Sequence, residues 1–490
     1  MLRTLIAAFV TLAIASTAAA QDVPLFTTDF PPEEFAARRA QVYAAIGENG
    51  LAVVQGAPSP DSYTRFRQSN ELYYLSGIEV PHAYLLLDGA QKRTALYLPH
   101  RHEAREAAEG KLLSAEDAED VKKLAGVDAV YAYELLSEHL ARFARSDPAK
   151  TLYTPYQPAE GTATSRDLAL RRIADTTNDP WDGRGSREAT FLAAMRARFP
   201  QFELRDLTPT LDRLRLIKSP REIALIRKAT RLASLGILEA MRSTVPGILE
   251  SELDAVAKYV FYRNGAQGDA YYSLIANGTN AWYPHYSSGK ARLRDGDLVL
   301  MDYAPDVGSY MSDITRMWPV NGKFTNDQRD LYTFYVGCYR AILDAIRPGA
   351  TAVAIKKDAL VKMDALLVRS TFSKEIYTKA AKELVDAYRK SAENPRGGLG
   401  HWVGMATHDV GTDSGPLRAG MVFTIEPQFR VPEERIYIRL EDLIVITETG
   451  KEIVSDFLPM DVEGIEAVMK AEGMLQRYPA EEIRPSVIKK

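Results

Sequence analysis

One cysteine, Cys338, stands in 490 residues, so no disulfide can form within the chain, and its stability comes from packing and from any metal it binds. That cysteine has no accompanying His or Asn motif of a thiol nucleophile and reads as a small buried hydrophobe on a helix. A basic surplus is lacking as well: 61 Lys and Arg face 65 Asp and Glu, a formal charge of −4. Wrapping a phosphate backbone needs such a surplus or a basic stripe, so nucleic acid is not an expected partner. Beyond residue 20 no apolar run reaches the roughly 20 residues of a membrane span, and no repeat or low-complexity tract stands out. What remains is globular, with 46% hydrophobic and 26% charged residues, enough for a real core at a length that suits two domains better than one.

The first twenty residues carry Arg3, an apolar run from Leu5 to Ala15 and the small residues Ser16-Thr17-Ala18-Ala19-Ala20 before Gln21. This is the order of a cleaved secretory signal, too short and too small-residue-rich at its end for a membrane anchor. Cleavage after Ala20 leaves 60 basic against 65 acidic residues, a net −5. The expected location is therefore periplasmic or secreted. No cysteine lies near the signal to take a lipid, so no stable membrane anchor is expected.

Glu33 to Gly50 has helical spacing and ends on glycine; Leu51–Val54 and Ala83–Leu87 are apolar runs of strand length, and Asp88-Gly89 signals a turn towards Ala95–Leu98. With helical stretches near 103–124 and 134–145, the first part reads as an α/β domain. Domain limits are placed at 21–210 and 211–475, with 476–490 as a surface tail. The second part opens on Ser219-Pro220-Arg221-Glu222, where Ser can cap, Pro can take the first helical position and Glu can reach back. A second helix is expected from about Leu249 to Asn264-Gly265. Strand-like runs follow at Asp297–Tyr303, Asp313–Val320, Met421–Glu426 and Tyr437–Thr447.

The chemistry-bearing residues gather in this second part. Of seven histidines only His285, His401 and His408 lie beyond residue 200, each in a Gly-rich or turn-like setting. Four acidic residues, Asp302, Asp313, Glu426 and Glu441, sit on or beside otherwise apolar strands. A lone buried carboxylate is costly and needs a cation or donors. Any one of the four is more often an edge residue facing water or a Lys or Arg partner. Four with one imidazole offer hard oxygen ligands and a borderline nitrogen, enough for two divalent ions sharing carboxylates. Such a pair, about 3.5–4 Å apart, lowers the pKa of a bridging water and holds a carbonyl, which is amide-hydrolysis chemistry. Mn²⁺ suits an oxygen-rich site, with Zn²⁺ and Co²⁺ as alternatives. In the segment Gly400 to Asp409 the glycines allow close backbone approach, so that one His can ligate while the other meets substrate. His285 is a second candidate donor.

In this order, Asp302, Asp313, His401, Glu426 and Glu441 resemble the five metal ligands of the aminopeptidase P and prolidase family, proline-specific metallopeptidases. The segments Arg294–Asp302, Ser312–Arg316, Pro319–Thr325 and Gly420–Pro427 are similar to that family too, and Phe66–Gly77 resembles its N-terminal domain. The resemblance covers roughly residues 33 to 465. It implies an α/β (α+β) fold, a creatinase-like N-terminal α/β domain followed by a pita-bread catalytic domain. It also implies two divalent metal ions: Asp302 chelates one, Asp313 and Glu441 bridge both, and His401 and Glu426 complete the other. Glu426 is then the general base on the water held between the two metals, which attacks as hydroxide. His285 and His408 position the scissile amide, Arg439 supports the site or meets a substrate carboxylate, and Thr315 orients a ligand. The implied activity is release of the N-terminal residue from peptides with proline second, by a homo-oligomer, dimer or tetramer.

Three departures bear on the proline pocket. The family commonly carries a His four residues before the ligand His, where this chain has Gly397. It reads Pro-Gly-x-Tyr after the ligand Glu, where this chain has Pro427-Gln428-Phe429-Arg430, and the link from Glu426 to Glu441 is short for the family. The neighbouring readings are an Xaa-Pro dipeptidase, an organophosphate-hydrolysing relative and a metal-free creatinase-like hydrolase. A peptide-binding pseudoenzyme is the reading from another class. Retention of every ligand residue speaks against the last two.

Overall fold

The computed structural model describes residues 25–60, 63–146, 150–161, 164–411 and 415–479. The expected signal segment, and all but the first residues of the expected tail, lie outside them. In chain order the first part holds α1 (Pro32–Ile46), β1 (Gly50–Gln55), α2 (Asn70–Ser76), β2 (Tyr84–Asp88), β3 (Arg93–Leu98), α3 (Glu103–Glu109), α4 (Ala118–Ala125) and β4 (Ala129–Ala132). It continues with α5 (Leu135–Ser146), β5 (Thr151–Thr154), α6 (Arg166–Asn178), α7 (Arg187–Arg198), β6 (Glu203–Asp206) and α8 (Thr208–Leu216). Its six strands form one mixed sheet in the order β4-β3-β2-β1-β5-β6. Strand alternation splits the core. Leu51, Val53 and Leu86 face Leu136 and Leu140 of α5, Met195 of α7 and Phe199 just beyond it, while Ala52, Val54, Leu85 and Leu87 join the main core with Phe35 and Val42 of α1.

Two expectations are corrected here. The first helix ends at Ile46, not at Gly50. Gly47 takes φ 68° just after it, a left-handed conformation that glycine tolerates. Gly50 instead opens β1, with its Cα so close to the helix end that a Cβ there would lie 2.4 Å from the Ile46 carbonyl oxygen. The stretch 103–124 is not one helix either: α3 stops at Gly110, and a capping box of Ser114 and Asp117 starts a new turn leading into α4.

The second part begins with α9 (Pro220–Ser243) and α10 (Glu250–Arg263). Ser219 Oγ accepts the Glu222 N–H at 3.3 Å and Glu222 Oε2 accepts the Ser219 N–H at 2.9 Å, the reciprocal cap that the sequence foretells. Then come β7 (Gly268–Asp269), β8 (Leu274–Asn277), β9 (Leu298–Asp302), β10 (Pro305–Asp306), β11 (Thr315–Pro319), α11 (Asn326–Ala345), α12 (Ala352–Arg369) and α13 (Glu375–Ala392). Last are β12 (Val422–Ile425), β13 (Gln428–Val431), β14 (Ile436–Arg439), β15 (Asp442–Ile446), β16 (Lys451–Ile453), α14 (Val462–Val468) and α15 (Met474–Arg477). The strands form antiparallel sheets β11-β9-β8 and β12-β15-β16 and a hairpin β13-β14. Tyr437–Thr447, which reads as one strand, is two. At Leu440-Glu441 the chain passes from the hairpin to the next sheet, and Glu441 exchanges backbone hydrogen bonds with Thr315 at 3.1 and 3.2 Å. No helix among the described residues is long and apolar enough to cross a membrane.

A buried ionic knot joins the two parts. Arg215 Nη1 lies 3.2 Å from both Glu71 Oε1 and Glu160 Oε1, and its Nη2 lies 2.6 Å from Asp409 Oδ1. Arg166 adds bonds of 2.7 Å to Asp212 and 3.1 Å to Glu160. Burial, then repulsion from Glu160, raises the Glu71 carboxyl to about 7 against the pull of Arg215 and Arg166. A carboxyl raised in the fold binds a proton there that the unfolded chain has already released, so its contribution is complete below about 4.5 and is lost as pH rises through about 7. Glu71→Gln, which mimics the protonated form, is therefore expected to gain in melting temperature relative to the wild type as pH rises from about 5 to about 8. A thermal scan at each pH checks this, and a difference that stays constant contradicts it.

Candidate metal and peptide site

Strand ends bring the acidic residues together. Asp302 closes β9, whose Leu298 to Met301 are all buried, and it stands opposite Thr315 of β11 and Leu274 of β8. Asp313 lies two residues before β11, Glu426 follows the end of β12, and Glu441 occupies the crossing between β14 and β15. Three sets of potential ligand atoms result, each within 4.8 Å: Asp302, Asp313 and Glu441; His401, Glu426 and Glu441; Asp313, His401 and His408. All five residues expected to bind metal are thus in one place.

His401 is turned towards the acids. Its Nδ1 faces the Trp402 carbonyl oxygen at 3.2 Å, and its Nε2 lies 3.4 Å from Asp313 Oδ2, 3.4 Å from Glu426 Oε1 and 3.8 Å from Glu441 Oε1. With Nδ1–H donated to the carbonyl, the Nε2 lone pair is free for a cation, the arrangement that metal-bound imidazoles favour. Close backbone approach makes this possible: a Cβ on Gly400 would lie 2.0 Å from the Thr424 carbonyl oxygen, so only glycine lets the His401 segment lie against β12. The His408 ring is tilted over that of His401 at 4.0 Å between centroids. His285, on the turn after the one-turn helix Gly278–Trp282, is more exposed. It lies within the field of Arg439, Glu426 and Asp313; burial, then Arg439, lowers its pKa, so it is a neutral imidazole at neutral pH. Burial and then His401 lower His408 to about 4.

The acids themselves show the cost of being crowded. Burial, then repulsion from Asp313, Glu426 and Asp302, pushes Glu441 well above the carboxylate range. Its Oε2 accepts a bond from Thr315 Oγ1 at 2.8 Å, the orienting role expected of Thr315, while its buried Oε1 has no hydrogen-bond partner. Burial raises Asp302 to about 8, although Arg439 opposes it. Asp313 is held below its usual value: burial pulls it up, and the hydrogen bond and charge of His401, itself raised against burial by Asp313 when no cation takes its Nε2, outweigh that. Four carboxylates thus face one guanidinium and one imidazole. The donor set of oxygens and one nitrogen, with an orphaned buried oxygen aimed into it, fits hard divalent cations.

Arg439 lies beneath the acids, buried, ion-paired to Asp302 and 3.5 Å from Glu426 Oε2. Tyr271 is the residue that sequence reading misses. Its hydroxyl lies 2.6 Å from Asp302 Oδ1 and 2.7 Å from Asp313 Oδ1. One phenolic proton serves only one of these bonds, so the other draws on the proton held by Asp302 at its raised pKa. Nothing in Ala270-Tyr271-Tyr272 marks the residue, one of 25 tyrosines.

A cavity of about 730 Å³ opens beside His401 and His408, with Gly397, Gly398, Arg396 and Asp167 in its walls. Gly397 leaves that wall without a side chain; a Cβ there would lie 3.3 Å from Lys356 Nζ. Arg430 fills the other departure from the family pattern. Its guanidinium is sandwiched between Trp282 and Tyr437, 4.9 and 4.6 Å from the ring centres, next to the turn that carries His285.

Comparison with known proteins agrees with this geometry. The sequence model of Metallopeptidase family M24 matches residues 224–448, and that of Aminopeptidase P, N-terminal domain, matches residues 35–153. The chain is 30% identical over 460 residues to the Xaa-Pro aminopeptidase of Escherichia coli (strain K12), covering 90% of this chain and 98% of that one. It is 29% identical over 460 residues to the mitochondrial Intermediate cleaving peptidase 55 of Arabidopsis thaliana, covering 89% and 83%. Among solved structures, the aminopeptidase P from Escherichia coli with the inhibitor Pro-Leu gives a TM-score of 0.70 at 28% identity over 90% of this chain and 98% of that one. Proline aminopeptidase P II from Yersinia pestis gives 0.70 at 29% identity over 90% and 100%. With an N-terminal α/β domain, a pita-bread second domain and the acid and histidine cluster of a metal-dependent peptidase, the chain belongs to the aminopeptidase P family of M24 metallopeptidases.

Proposed function

We propose that this chain is an exported Xaa-Pro aminopeptidase that works with two divalent ions, Mn²⁺ foremost, held by Asp302, Asp313, His401, Glu426 and Glu441. The convergence of these five residues carries the reading. Four clustered carboxylates against one guanidinium leave a buried negative charge that two dications bound together with one hydroxide would neutralise. When bound, such ions lower the pKa of a water held between them and polarise a carbonyl.

The chain's own residues do the rest. Glu426, the least buried of the four acids, takes the proton of the attacking water and passes it to the leaving nitrogen of proline. His285 and His408, both neutral at neutral pH, donate hydrogen bonds to the substrate amide and to the tetrahedral oxygen that forms from it. Arg439 and Tyr271 fix the orientation of the acids, Arg439 from Asp302 and Glu426, Tyr271 from Asp302 and Asp313. Residues 21–210 and 211–475 are taken as the two domains, Met1–Ala20 as the export signal to the periplasm or exterior, and the working form as a homo-oligomer. Dipeptide-only cleavage, organophosphate hydrolysis and a binding-only role find less support, since the chain is similar along nearly its whole length to Xaa-Pro aminopeptidases and no expected ligand residue is missing.

Chelator-stripped protein is expected to release the N-terminal residue from Xaa-Pro peptides, in preference to Xaa-Ala peptides, only after Mn²⁺ is restored. Glu426→Gln is expected to lower kcat by about 10²–10⁴, the usual scale for a lost proton-transfer group. Metal bound without cleavage of any peptide would sink the proposal. Tyr271→Phe removes a hydroxyl but no proposed ligand, and is expected to weaken Mn²⁺ binding by about 10–100-fold, as loss of an orienting partner does. Equilibrium dialysis measures this, and an unchanged affinity would show that Tyr271 does not orient the acids.

A further inference from the structure

Arg67 stands in the first part of the chain, three residues before α2 begins, yet its guanidinium reaches the turn that leads to Asp313 and the turn between His401 and His408. Its Nε donates to Asp306 Oδ2 at 3.1 Å, its Nη1 to Asn70 Oδ1 at 2.7 Å, and its Nη2 to the carbonyl oxygens of Met405 at 2.8 Å and Ser309 at 3.4 Å. Met405 lies on the turn between His401 and His408. Asp306 and Ser309 belong to the turn just before Asp313: Asp306 Oδ1 accepts the Ser309 N–H at 2.9 Å, and Val307 and Tyr310 bond each other's backbone at 2.9 and 3.0 Å. Ser309 has φ 67°, a conformation that costs energy for a residue with a side chain and needs its surroundings to hold it.

Asn70 adds a second donor to the Met405 carbonyl at 3.2 Å, while its own position is set by Glu160 at 2.8 Å. The two loops also meet directly, since the Met311 N–H donates to the Gly404 carbonyl at 2.8 Å. Arg67 therefore closes a ring of three segments: its own, the turn leading to Asp313, and the turn linking the two histidines.

We infer that Arg67 is a positioning residue that sets the spacing of Asp313 against His401 and His408 from the other domain. It touches none of the five candidate ligands. A lysine could keep the charge beside Asp306, but it lacks the planar fork that serves four acceptors at once. The first domain thus braces the site from behind, with Arg67 as the side chain that holds both turns.

The inference rests on the metallopeptidase reading, and its test separates the two. Arg67→Lys is compared in the full-length protein with Arg39→Lys, which alters a buried arginine whose partners all lie in the first part: Arg39 bonds the Leu75 carbonyl at 2.8 Å and the Ala125 carbonyl at 3.0 Å. Both variants are followed by thermal melting, by Mn²⁺ dialysis and by Xaa-Pro kinetics. Arg67→Lys is expected to weaken Mn²⁺ binding and to lower kcat, each about tenfold, with KM changed less than about threefold, while Arg39→Lys loses melting temperature and neither of the others. Asp306→Asn, a milder change in the same ring, is expected to move the same two quantities in the same direction, and it decides the matter if Arg67→Lys does not fold. Equal Mn²⁺ affinity and kcat in the Arg67 and Arg39 variants would overturn the inference. If wild-type protein binds Mn²⁺ but cleaves no Xaa-Pro peptide, the proposed function fails, and the dialysis comparison alone decides the role of Arg67.

Discussion

Negative charge gathered in a buried place is the constraint around which the rest of the second domain is arranged. Asp302, Asp313 and Glu441 are each at most 5% exposed, and the interior that surrounds them cannot hydrate them. Each carboxylate has been given some partner: Tyr271 for Asp302 and Asp313, Thr315 for Glu441, Arg439 for Asp302 and Glu426. These partners do not balance the charge. Removing one of them exposes a buried acid to the full penalty of an unpaired group. The imbalance suits the cluster to bind cations.

Strand topology delivers the charges to that place. The antiparallel register of β9 and β11 sets Asp302 opposite Thr315, and that of β12 and β15 ends at Ile425 opposite Asp442, so Glu426 and Glu441 emerge side by side. The Glu441–Thr315 backbone exchange then joins the two sheets. Glu441 sits at the seam because the chain changes sheets there, which also explains why Tyr437–Thr447 does not form one strand.

The acids and His401 are legible in the sequence because a carboxylate in an apolar strand, or a histidine among glycines, violates local expectation and so calls for a cause. The cap at Ser219 is legible because it is written in four consecutive residues. Gly47 and Gly50 are not told apart by pattern, since which of two nearby glycines ends a helix depends on what packs against each. Tyr271 and Arg67 stay hidden for a related reason. Their partners lie 31 and 42 residues away for Tyr271 and more than 200 away for Arg67 on Asp306, and no short-range signal records such contacts. The departures at Gly397 and Arg430 are visible in the sequence; only the structure shows an opened cavity wall at one and a guanidinium between two aromatic rings at the other.

The most direct test of this account is anomalous diffraction from crystals of the protein loaded with Mn²⁺. The account predicts two peaks about 3.5–4 Å apart, with Asp313 and Glu441 between them, Asp302 on one and His401 with Glu426 on the other. An acid cluster without a peak, or a single ion held elsewhere in the fold, would contradict it.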